Sequence, residues 1–443
     1  MFRKLISALL GLALLVTSTA AYAVPTEPAY SEHKVQEIWA KGFKGEGVTV
    51  AVIDQGINLA HEYFTGQVVD GLCVYQAQSQ SLCPNGSKYQ TGIQAASQRF
   101  ENGVIVSNES HGNMVSGLIA GNPNEQAPGG VAPKAKLLMA NTDLALPSLV
   151  SALTYIYDNR EKYNIVAVSM SFGVGGGSSR NYILDCNLNP DYAQLKATLS
   201  KLRSVGIMPF AASGNGFILN EITASAPTCL NEAVSIGAID PSGKVSMYST
   251  MNSKVELLGT DYAKSAHTVG YKPANGTSAA TPTVAAGYAL LRQAFPSASA
   301  QVVLDAMKQS GRLIDDVVRK QIPVMDLLAA YNVLSNSPNP TPSPSSTPVA
   351  PTPLPTPTPP VSSSGKSSII FTSTPGNLVI TIKGFVGKEF KAKLGNTWIK
   401  IPKLSDSGRG FTQIVRKAVS KTTVKYTAYI DGKKITSGSI RIP

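Results

Sequence analysis

A continuous run of mostly β-branched residues, Val48-Thr-Val-Ala-Val-Ile53, constrains the fold of this chain more than any other feature. Because it shows no alternation of apolar and polar side chains, it predicts a strand buried on both faces, as in a parallel sheet covered by helices. Strand-like and helix-like segments alternate along the chain. We predict further strands at 135–140, 165–170, 207–212 and 233–239, and helices at 31–40, 111–120, 148–159, 191–205, 298–310 and 324–334. This alternation predicts an α/β fold with a mainly parallel sheet.

A segment rich in Pro, Thr and Ser, residues 337–365, divides the chain. Such a composition cannot bury a core and favours extended polyproline II structure. After this segment, short strand-like runs are separated by turn residues, and Asp431-Gly432 predicts a hairpin. We therefore predict an α/β domain over residues 24–336, a linker over 337–365 and a small all-β domain over 366–443.

The first 23 residues have the features of a secretory signal peptide. Arg3 and Lys4 precede an apolar stretch at 5–20, and Ala21-Tyr22-Ala23 provides a small-x-small cleavage site. An uncleaved membrane anchor is the alternative, but the apolar stretch is short for a bilayer span. We expect a secreted protein, extracellular or periplasmic, with no membrane span after signal cleavage.

Export makes the four cysteines informative. Cys73 and Cys83 flank a short Gln- and Ser-rich stretch, so a small disulfide-closed loop is natural, and Cys186 and Cys229 would then form a second disulfide. Four cysteines allow three pairings, and closeness in sequence is a weak guide. Free buried thiols are the alternative, which an oxidising compartment disfavours.

The net charge of +12 belongs entirely to the C-terminal region. From Lys366 onward, fifteen basic residues face three acidic ones, so the rest of the chain is neutral overall. The charge therefore gives no reason to expect nucleic-acid binding by the larger domain. Trp398, Tyr426 and Tyr429 add aromatic area to the tail, which we expect either to bind an anionic cell-surface polymer or to act as a solvated spacer.

Three polar residues beside glycines stand at the ends of predicted elements. Asp54 ends the first strand, His111 begins a Gly- and Ala-rich helix, and Asn215 follows the strand at 207–212. Taken singly, such residues usually occupy turns or helix ends. In an open α/β sheet, however, the carboxyl ends of the strands collect functional groups at one edge.

A fourth residue, Ser278, lies in Gly276-Thr-Ser-Ala-Ala-Thr-Pro282, just before or at the start of a helix-like apolar run. Its hydroxyl could cap the helix, or it could be a nucleophile whose oxyanion meets the free N–H groups there. With Asp54, His111 and Asn215, the chain contains every group that acyl transfer to a serine requires.

Six sequence blocks resemble, in order, those of the subtilases, the subtilisin-like serine peptidases, whose catalytic residues follow the chain order Asp, His, Ser. The blocks are Val-Ala-Val-Ile-Asp54-Gln-Gly-Ile, His111-Gly-Asn-Met-Val-Ser-Gly-Leu-Ile-Ala-Gly121, Gly130-Val-Ala-Pro-Lys-Ala-Lys-Leu137, Ser169-Met-Ser-Phe-Gly173, Ala-Ala-Ser-Gly-Asn215 and Gly-Thr-Ser278-Ala-Ala-Thr-Pro. The resemblance covers about residues 35–334 and implies a subtilisin-like three-layer domain.

The resemblance also implies roles. Asp54 would orient His111, which would act as general base and then acid for the nucleophile Ser278, while Asn215 and the Ser278 N–H would bind the oxyanion. For the substrate, Ser171, Phe172 and Gly173 would form an edge for its backbone, and Ala212 and Gly214 would belong to a pocket wall. A glycine loop without a ligand is the alternative at this edge.

We therefore expect a serine endopeptidase that hydrolyses proteins or peptides through an acyl-enzyme. The alternative is a catalytically weak pseudoprotease that serves as a surface-binding protein. Gln55, Met114 and Ala279 depart from the residues that the family usually has beside its catalytic groups. No cofactor is expected to be required. Structural calcium occurs in relatives, but no acidic motif of the EF-hand type supports a metal site here. We expect a monomer.

Overall fold

The computed structural model describes residues 27–77, 83–98, 100–101, 104–105, 110–174, 186–216, 225–316 and 320–337, and, in the C-terminal part, 368–374, 377–383, 388–394, 397–401, 411–417 and 423–441. The predicted signal peptide and nearly all of the predicted linker lie outside these residues. Two compact units are present, Met1–Asn187 with Gln194–Thr341, and Leu188–Ala193 with Pro342–Pro443. The domain boundaries given above stay predictions.

The larger unit is built on a ten-stranded sheet that is parallel except at its edges. Its strands are β1 (Thr49–Asp54), β2 (Val68–Val74), β3 (Tyr89–Thr91), β6 (Lys136–Thr142), β7 (Ile165–Met170), β8 (Met208–Ala212), β9 (Val234–Ile239), β10 (Val255–Thr260), β13 (Arg312–Ile314) and β14 (Ile322–Val324). Two antiparallel pairs lie outside this sheet: β4 (Phe100–Glu101) with β5 (Val104–Ile105), and β11 (Lys264–Ala266) with β12 (Tyr271–Pro273). The order across the sheet is β13-β14-β10-β9-β8-β7-β1-β6-β2-β3. Only β13 and β3 run antiparallel to their neighbours.

Helices cover both faces of this sheet. They are α1 (Pro28–Glu32), α2 (Val35–Ala40), α3 (His111–Ala120), α4 (Leu146–Asp158), α5 (Arg160–Tyr163), α6 (Ala193–Ser204), α7 (Thr277–Ala294), α8 (Ala300–Ser310) and α9 (Leu327–Asn336), with short 3-10 turns at Glu62–Phe64, Ile93–Ala96, Cys186–Leu188 and Pro190–Tyr192. Val50 and Val52 of β1 share a core with α3 and α7. The alternate residues Ala51 and Ile53 are also fully buried, on the face that α4 covers.

The strand-like runs of the sequence therefore became buried parallel strands, and the predicted α/β fold is confirmed. Every residue of β1, β7, β8 and β9 is buried, which explains why these runs lack polar alternation. Among the described residues, no helix is long and apolar enough to cross a bilayer.

Two element predictions were wrong in detail. The helix expected at 31–40 is interrupted, because Lys34 adopts a left-handed conformation with φ 57° between α1 and α2. The helix expected at 324–334 begins only at Leu327, because residues 322–324 instead form β14 beside β10. The Asp326 side chain accepts the Ala329 N–H, so this helix has its N-cap after the strand.

The smaller unit contains two antiparallel sheets, which confirms an all-β C-terminal part. One has the order β15-β16-β19 and the other β18-β17-β20-β21. The strands are β15 (Ser368–Thr374), β16 (Asn377–Lys383), β17 (Phe390–Leu394), β18 (Thr397–Ile401), β19 (Phe411–Lys417), β20 (Thr423–Ile430) and β21 (Lys433–Arg441). The predicted hairpin joins β20 and β21, with Asp431 at φ 46° and Gly432 at φ 79°, as a type I′ turn requires.

A buried histidine attaches the N-terminal helices to the sheet. His33 is 0% exposed. Its Nε2 accepts the Thr260 N–H at 2.9 Å, so Nδ1 carries the proton and donates to the Met325 carbonyl at 2.9 Å. Burial lowers the pKa of His33 from 6.5 to about 4, because the charged ring would lose its hydration.

We expect the stability of the protein to fall as the pH drops from about 6.5 to about 4. As the pH falls, His33 is protonated in the unfolded chain before it is protonated in the folded one. The free energy of unfolding is therefore highest above the unfolded pKa and declines by about 3 kcal/mol as the pH falls to the folded pKa. Urea unfolding of the full chain carrying Ser278→Ala, at pH 7 and pH 4, measures this change. The same chain with His33→Gln is the control and should lose less stability; an equal loss in both would contradict the assignment.

Candidate active site

Three neighbouring strands deliver polar groups to one edge of the larger sheet. The order β8-β7-β1 is contiguous and parallel, so the carboxyl ends of these strands lie side by side. Asp54 is the last residue of β1, Ser171 directly follows β7, and Asn215 lies three residues after β8. The expected gathering of functional groups at this edge is therefore present.

Asp54 and His111 form a direct pair. The His111 Nδ1 donates to Asp54 Oδ2 at 2.7 Å, and the Gln55 N–H donates to the other carboxylate oxygen at 2.8 Å. The Asp54 side chain is 1% exposed, whereas that of His111 is 35% exposed. Because a carboxylate accepts the Nδ1 proton, Nε2 is the basic nitrogen of the ring.

The absence of a side chain at Gly112 makes this pairing possible. A Cβ at Gly112 would lie 2.0 Å from the Gly56 carbonyl oxygen. Asn113, the next residue, accepts the Asn58 N–H through its Oδ1 at 2.7 Å and ties the same loop to α3. The first turn of α3 therefore lies directly on the loop after β1, which sets His111 against Asp54.

Ser278 is the second residue of α7. The N-cap is Gly276, with φ 90°, which has no side chain to cap this end. The interpretation of Ser278 as an N-cap is therefore wrong. At the second helical position its own N–H has no acceptor within the helix, so that N–H can bind a ligand.

Ser171 and Ser278 exchange two hydrogen bonds. The Ser278 hydroxyl donates to the Ser171 carbonyl at 3.0 Å, and the Ser171 hydroxyl donates to the Ser278 carbonyl at 2.8 Å. In a regular helix the Ser278 carbonyl would accept the N–H of residue 282, but this residue is proline and has none. The Ser171 hydroxyl replaces the missing donor and links the end of β7 to the start of α7.

The side-chain amide of Asn215 has a fixed orientation. Its Oδ1 accepts the Thr277 N–H at 3.0 Å and the Thr277 hydroxyl at 2.9 Å. An N–H can only donate, so the atom facing Thr277 is the oxygen. The NH₂ group is thereby directed away from Thr277, and Nδ2 lies 3.1 Å from where a Cβ of Gly276 would be.

The segment expected to bind substrate follows β7. Ser171 is buried, Phe172 is half-buried and Gly173 is exposed. The Val174 N–H donates to the Ala226 carbonyl at 2.7 Å, and a Cβ at Gly173 would lie 2.0 Å from Ser225 Oγ. The segment is thus supported from behind by residues 225–226, a contact that the sequence did not reveal. The glycines at 175–177 lie outside the described residues.

The expected pocket wall lies at the end of β8. Ala212 is 5% exposed, and Gly214, at φ 111°, is half-buried. The Gly214 carbonyl accepts the Thr250 N–H at 2.9 Å, and the Thr250 hydroxyl accepts the Gly216 N–H at 3.0 Å. Thr250 therefore holds both sides of Asn215, and no motif marked it.

All four cysteines are paired in the structure. Cys73 is bonded to Cys83 and Cys186 to Cys229, the pairing favoured by closeness in sequence. Within the described part of the chain, no three His, Cys, Asp or Glu side chains cluster as metal ligands.

The Ser171 hydroxyl and Pro282 should be energetically coupled. Ser171→Ala leaves the Ser278 carbonyl without its donor and should lower the unfolding free energy by about 1 kcal/mol. Pro282→Ala restores an N–H at position 282, so Ser171→Ala should cost less in that background. Urea unfolding of the four members of this double-mutant cycle measures the coupling; strictly additive effects would contradict it.

Comparison with known proteins identifies a family for this chain. The model of the subtilase family matches residues 45–323. The major intracellular serine protease of Bacillus subtilis is 26% identical over 269 residues, 58% of this chain and 72% of that protein. Subtilisin DY of Bacillus licheniformis is 25% identical over 291 residues, 64% of this chain and 90% of that protein.

A solved structure described as proteases from Pseudoalteromonas arctica shares the fold. Its TM-score is 0.56 at 20% identity, with 70% of this chain and 99% of that chain covered. At this identity the likeness supports the fold alone. The family match, which spans well over half of the chain, supports more: this protein belongs to the subtilase family and is a serine-type peptidase.

Proposed function

We propose that this protein is a secreted endopeptidase in which Ser278 attacks the substrate carbonyl. His111 accepts the proton of the Ser278 hydroxyl, and Asp54 orients His111 and stabilises its charged form. The observation that carries the proposal is the buried Asp54 carboxylate bonded to the Nδ1 of a half-exposed His111. This arrangement leaves Nε2 as the basic nitrogen of the imidazole. The two hydrogen bonds between Ser171 and Ser278 place Ser278 beside the end of β7, the strand next to β1.

Attack begins with the Ser278 hydroxyl. Its proton points to the Ser171 carbonyl in the structure, so the hydroxyl turns to deliver it to His111 Nε2 as Oγ bonds to the carbonyl carbon. The imidazolium that forms is stabilised by Asp54. His111 then gives this proton to the leaving amine, the peptide bond breaks, and the acyl-enzyme remains on Ser278.

Water completes the cycle by the same groups. His111 takes a proton from water, whose oxygen attacks the acyl carbon, and then returns the proton to Ser278 Oγ as the acid product leaves. In both halves the carbonyl oxygen becomes negative. The Ser278 N–H and the Asn215 Nδ2 are the two donors for it, since Thr277 already occupies the Asn215 oxygen.

Substrate binding is assigned to the edge after β7. We propose that an extended peptide pairs with Ser171, Phe172 and Gly173 as an added strand. Ala212 and Gly214 would line the pocket for the residue before the scissile bond. Because the described wall residues are small and uncharged, we expect a moderately large apolar or uncharged side chain there.

Secretion rests on the predicted signal peptide and on the two disulfides. Disulfides persist in oxidising compartments such as the extracellular space or the periplasm. The catalytic steps use side chains and backbone groups of this chain, and we expect them to proceed in a monomer without an added cofactor.

Labelling by a fluorophosphonate tests the mechanism. The wild type should react at Ser278, and Ser278→Ala should be neither labelled nor active. Asn215→Ala is the matched control, because it keeps the nucleophile: it should still be labelled, while kcat falls by ~10²–10³, as for loss of the amide donor in the related enzyme subtilisin. A wild type that is folded but unlabelled and inactive would favour the pseudoprotease; activity that survives Ser278→Ala would overturn the mechanism.

For the smaller unit we propose binding to an anionic cell-surface polysaccharide. Ala392 and Ala428 pair across β17 and β20 and are fully buried, so one face of this sheet is its core. The alternate residues of these strands and of β21 lie on the other face. Among them are the cations Lys391, Lys393, Lys425, Lys434 and Arg441.

The chemistry of this basic face favours a hydrophilic polyanion. Between the cations lie Thr427, Ser437 and Ser439, which offer hydroxyl groups. Tyr429, which pairs with Lys391 and Lys434, adds a ring with a hydroxyl group to the same face. Insertion into a bilayer would instead need a larger set of apolar side chains beside the charges. Glu389 pairs with Lys391 at 3.0 Å and offsets part of the charge.

Retention of full-length Ser278→Ala protein on a polygalacturonate resin tests this second proposal. The protein should be retained at low salt and released at high salt, because exposed charges are screened. Glu substitutions at Lys393, Lys425 and Lys434 should abolish retention. Glu substitutions at Lys44, Lys88 and Lys134 of the larger unit change the net charge equally and should not. Equal effects of the two triple variants, or no retention at all, would favour the spacer.

A further inference from the structure

A buried carboxylate outside the proposed triad lies close to the nucleophile loop. Asp261 follows β10 and is 4% exposed. Its Oδ2 accepts two hydroxyl groups, those of Ser246 and Tyr248. None of the catalytic steps above uses this carboxylate. Burying a carboxylate costs free energy, which its hydrogen bonds must offset.

Tyr248 connects Asp261 to the residue that starts α7. Its oxygen accepts the Gly276 N–H at 2.9 Å. Burial is the largest cause that raises the pKa of Tyr248 to about 12, followed by the bond to Asp261. The phenol therefore keeps its proton at neutral pH. Since that proton is donated to Asp261, a lone pair of the phenol oxygen is directed at Gly276.

Gly276 is a position where backbone control matters. It is the N-cap of α7, with φ 90°, and it stands two residues before Ser278. Its carbonyl accepts the Ala279 N–H at 2.8 Å, which closes the first turn around the nucleophile. The direction of the Ser278 N–H therefore depends on how the Gly276 peptide is held.

The same loop also supports the second oxyanion donor. Thr250, two residues after Tyr248, bonds to Gly214 and Gly216 on either side of Asn215. One short segment, residues 246–250, thus bonds to the backbone near both proposed donors, and Asp261 accepts the hydroxyl groups of Ser246 and Tyr248 from it. The Ser246 N–H donates to the Ala238 carbonyl at 2.9 Å, which anchors the segment to β9.

We propose that Tyr248, oriented by Asp261, is a positioning residue that aligns the oxyanion-binding N–H of Ser278 through Gly276. This inference rests on the proposed function of Ser278 and Asn215. It assigns a role in catalysis to two residues that touch neither substrate nor reacting atoms. Their effect should therefore appear in kcat and in the binding of transition-state analogues, and much less in KM.

Tyr248→Phe is the central test, because it removes only the hydroxyl. Loss of the acceptor for the Gly276 N–H should lower kcat by about tenfold and weaken a peptide boronate inhibitor to a similar degree, with KM within about twofold. Asp261→Asn keeps the Tyr248 hydroxyl and should cause a smaller loss. Tyr155→Phe is the matched control: it removes a tyrosine hydroxyl that donates to a carboxylate elsewhere, Asp70 Oδ2 at 2.7 Å, and kcat should stay near wild type.

A double-mutant cycle with Asn215→Ala separates positioning from general destabilisation. If Tyr248 acts through the oxyanion site, Tyr248→Phe should cost less in the Asn215→Ala background than in the wild type; a loss of folded fraction would be the same in both. Unchanged kcat in Tyr248→Phe, equal losses in both backgrounds, or an equal loss in Tyr155→Phe would overturn the proposal. Because wild-type activity and Ser278 labelling are measured in the same series, failure of the proposed function would be recognised separately.

Discussion

The close approach of α3 to the loop after β1 is the constraint on which the candidate site depends. Any side chain at Gly112 would collide with the Gly56 carbonyl, so the backbone contact exists only with glycine at this position. A similar approach occurs under α7, where a Cβ at Gly259 of β10 would lie 2.7 Å from the Ala280 carbonyl oxygen. The two helices that carry His111 and Ser278 therefore pack closely because glycine has no side chain at these contacts. This close packing leaves His111 and Ser278 little freedom to move.

Hydrogen bonds between uncharged groups complete this arrangement. Thr277 fixes the Asn215 amide, Thr250 fixes the loop around it, and Ser171 satisfies the carbonyl that Pro282 leaves open. Each bond joins a side chain to the backbone of another element. The geometry of the proposed oxyanion site is thus fixed without a bound substrate, which is the condition for electrostatic stabilisation without reorganisation.

The sequence predicted much of the fold and the four polar residues of the candidate site, but few of the contacts that support them. The buried strands β1 and β7 and the residues Asp54 and His111 were predictable, because apolar runs end at polar residues beside glycines. The Ser171–Ser278 pair depends on the register of distant strands and on a proline in the helix, which no local pattern reveals. Strand β14 was missed because its three residues are too short to show a period.

The disulfide between Cys186 and Cys229 gives the site a dependence on its surroundings. The Cys229 N–H donates to the Ser225 carbonyl at 3.1 Å, and Ser225 lies directly behind Gly173. The disulfide is therefore one turn of the chain away from Ser225, the residue that supports the proposed substrate edge at Gly173. In a reducing compartment a newly made chain lacks this link. The proposed substrate edge therefore gains this covalent support only where the compartment is oxidising.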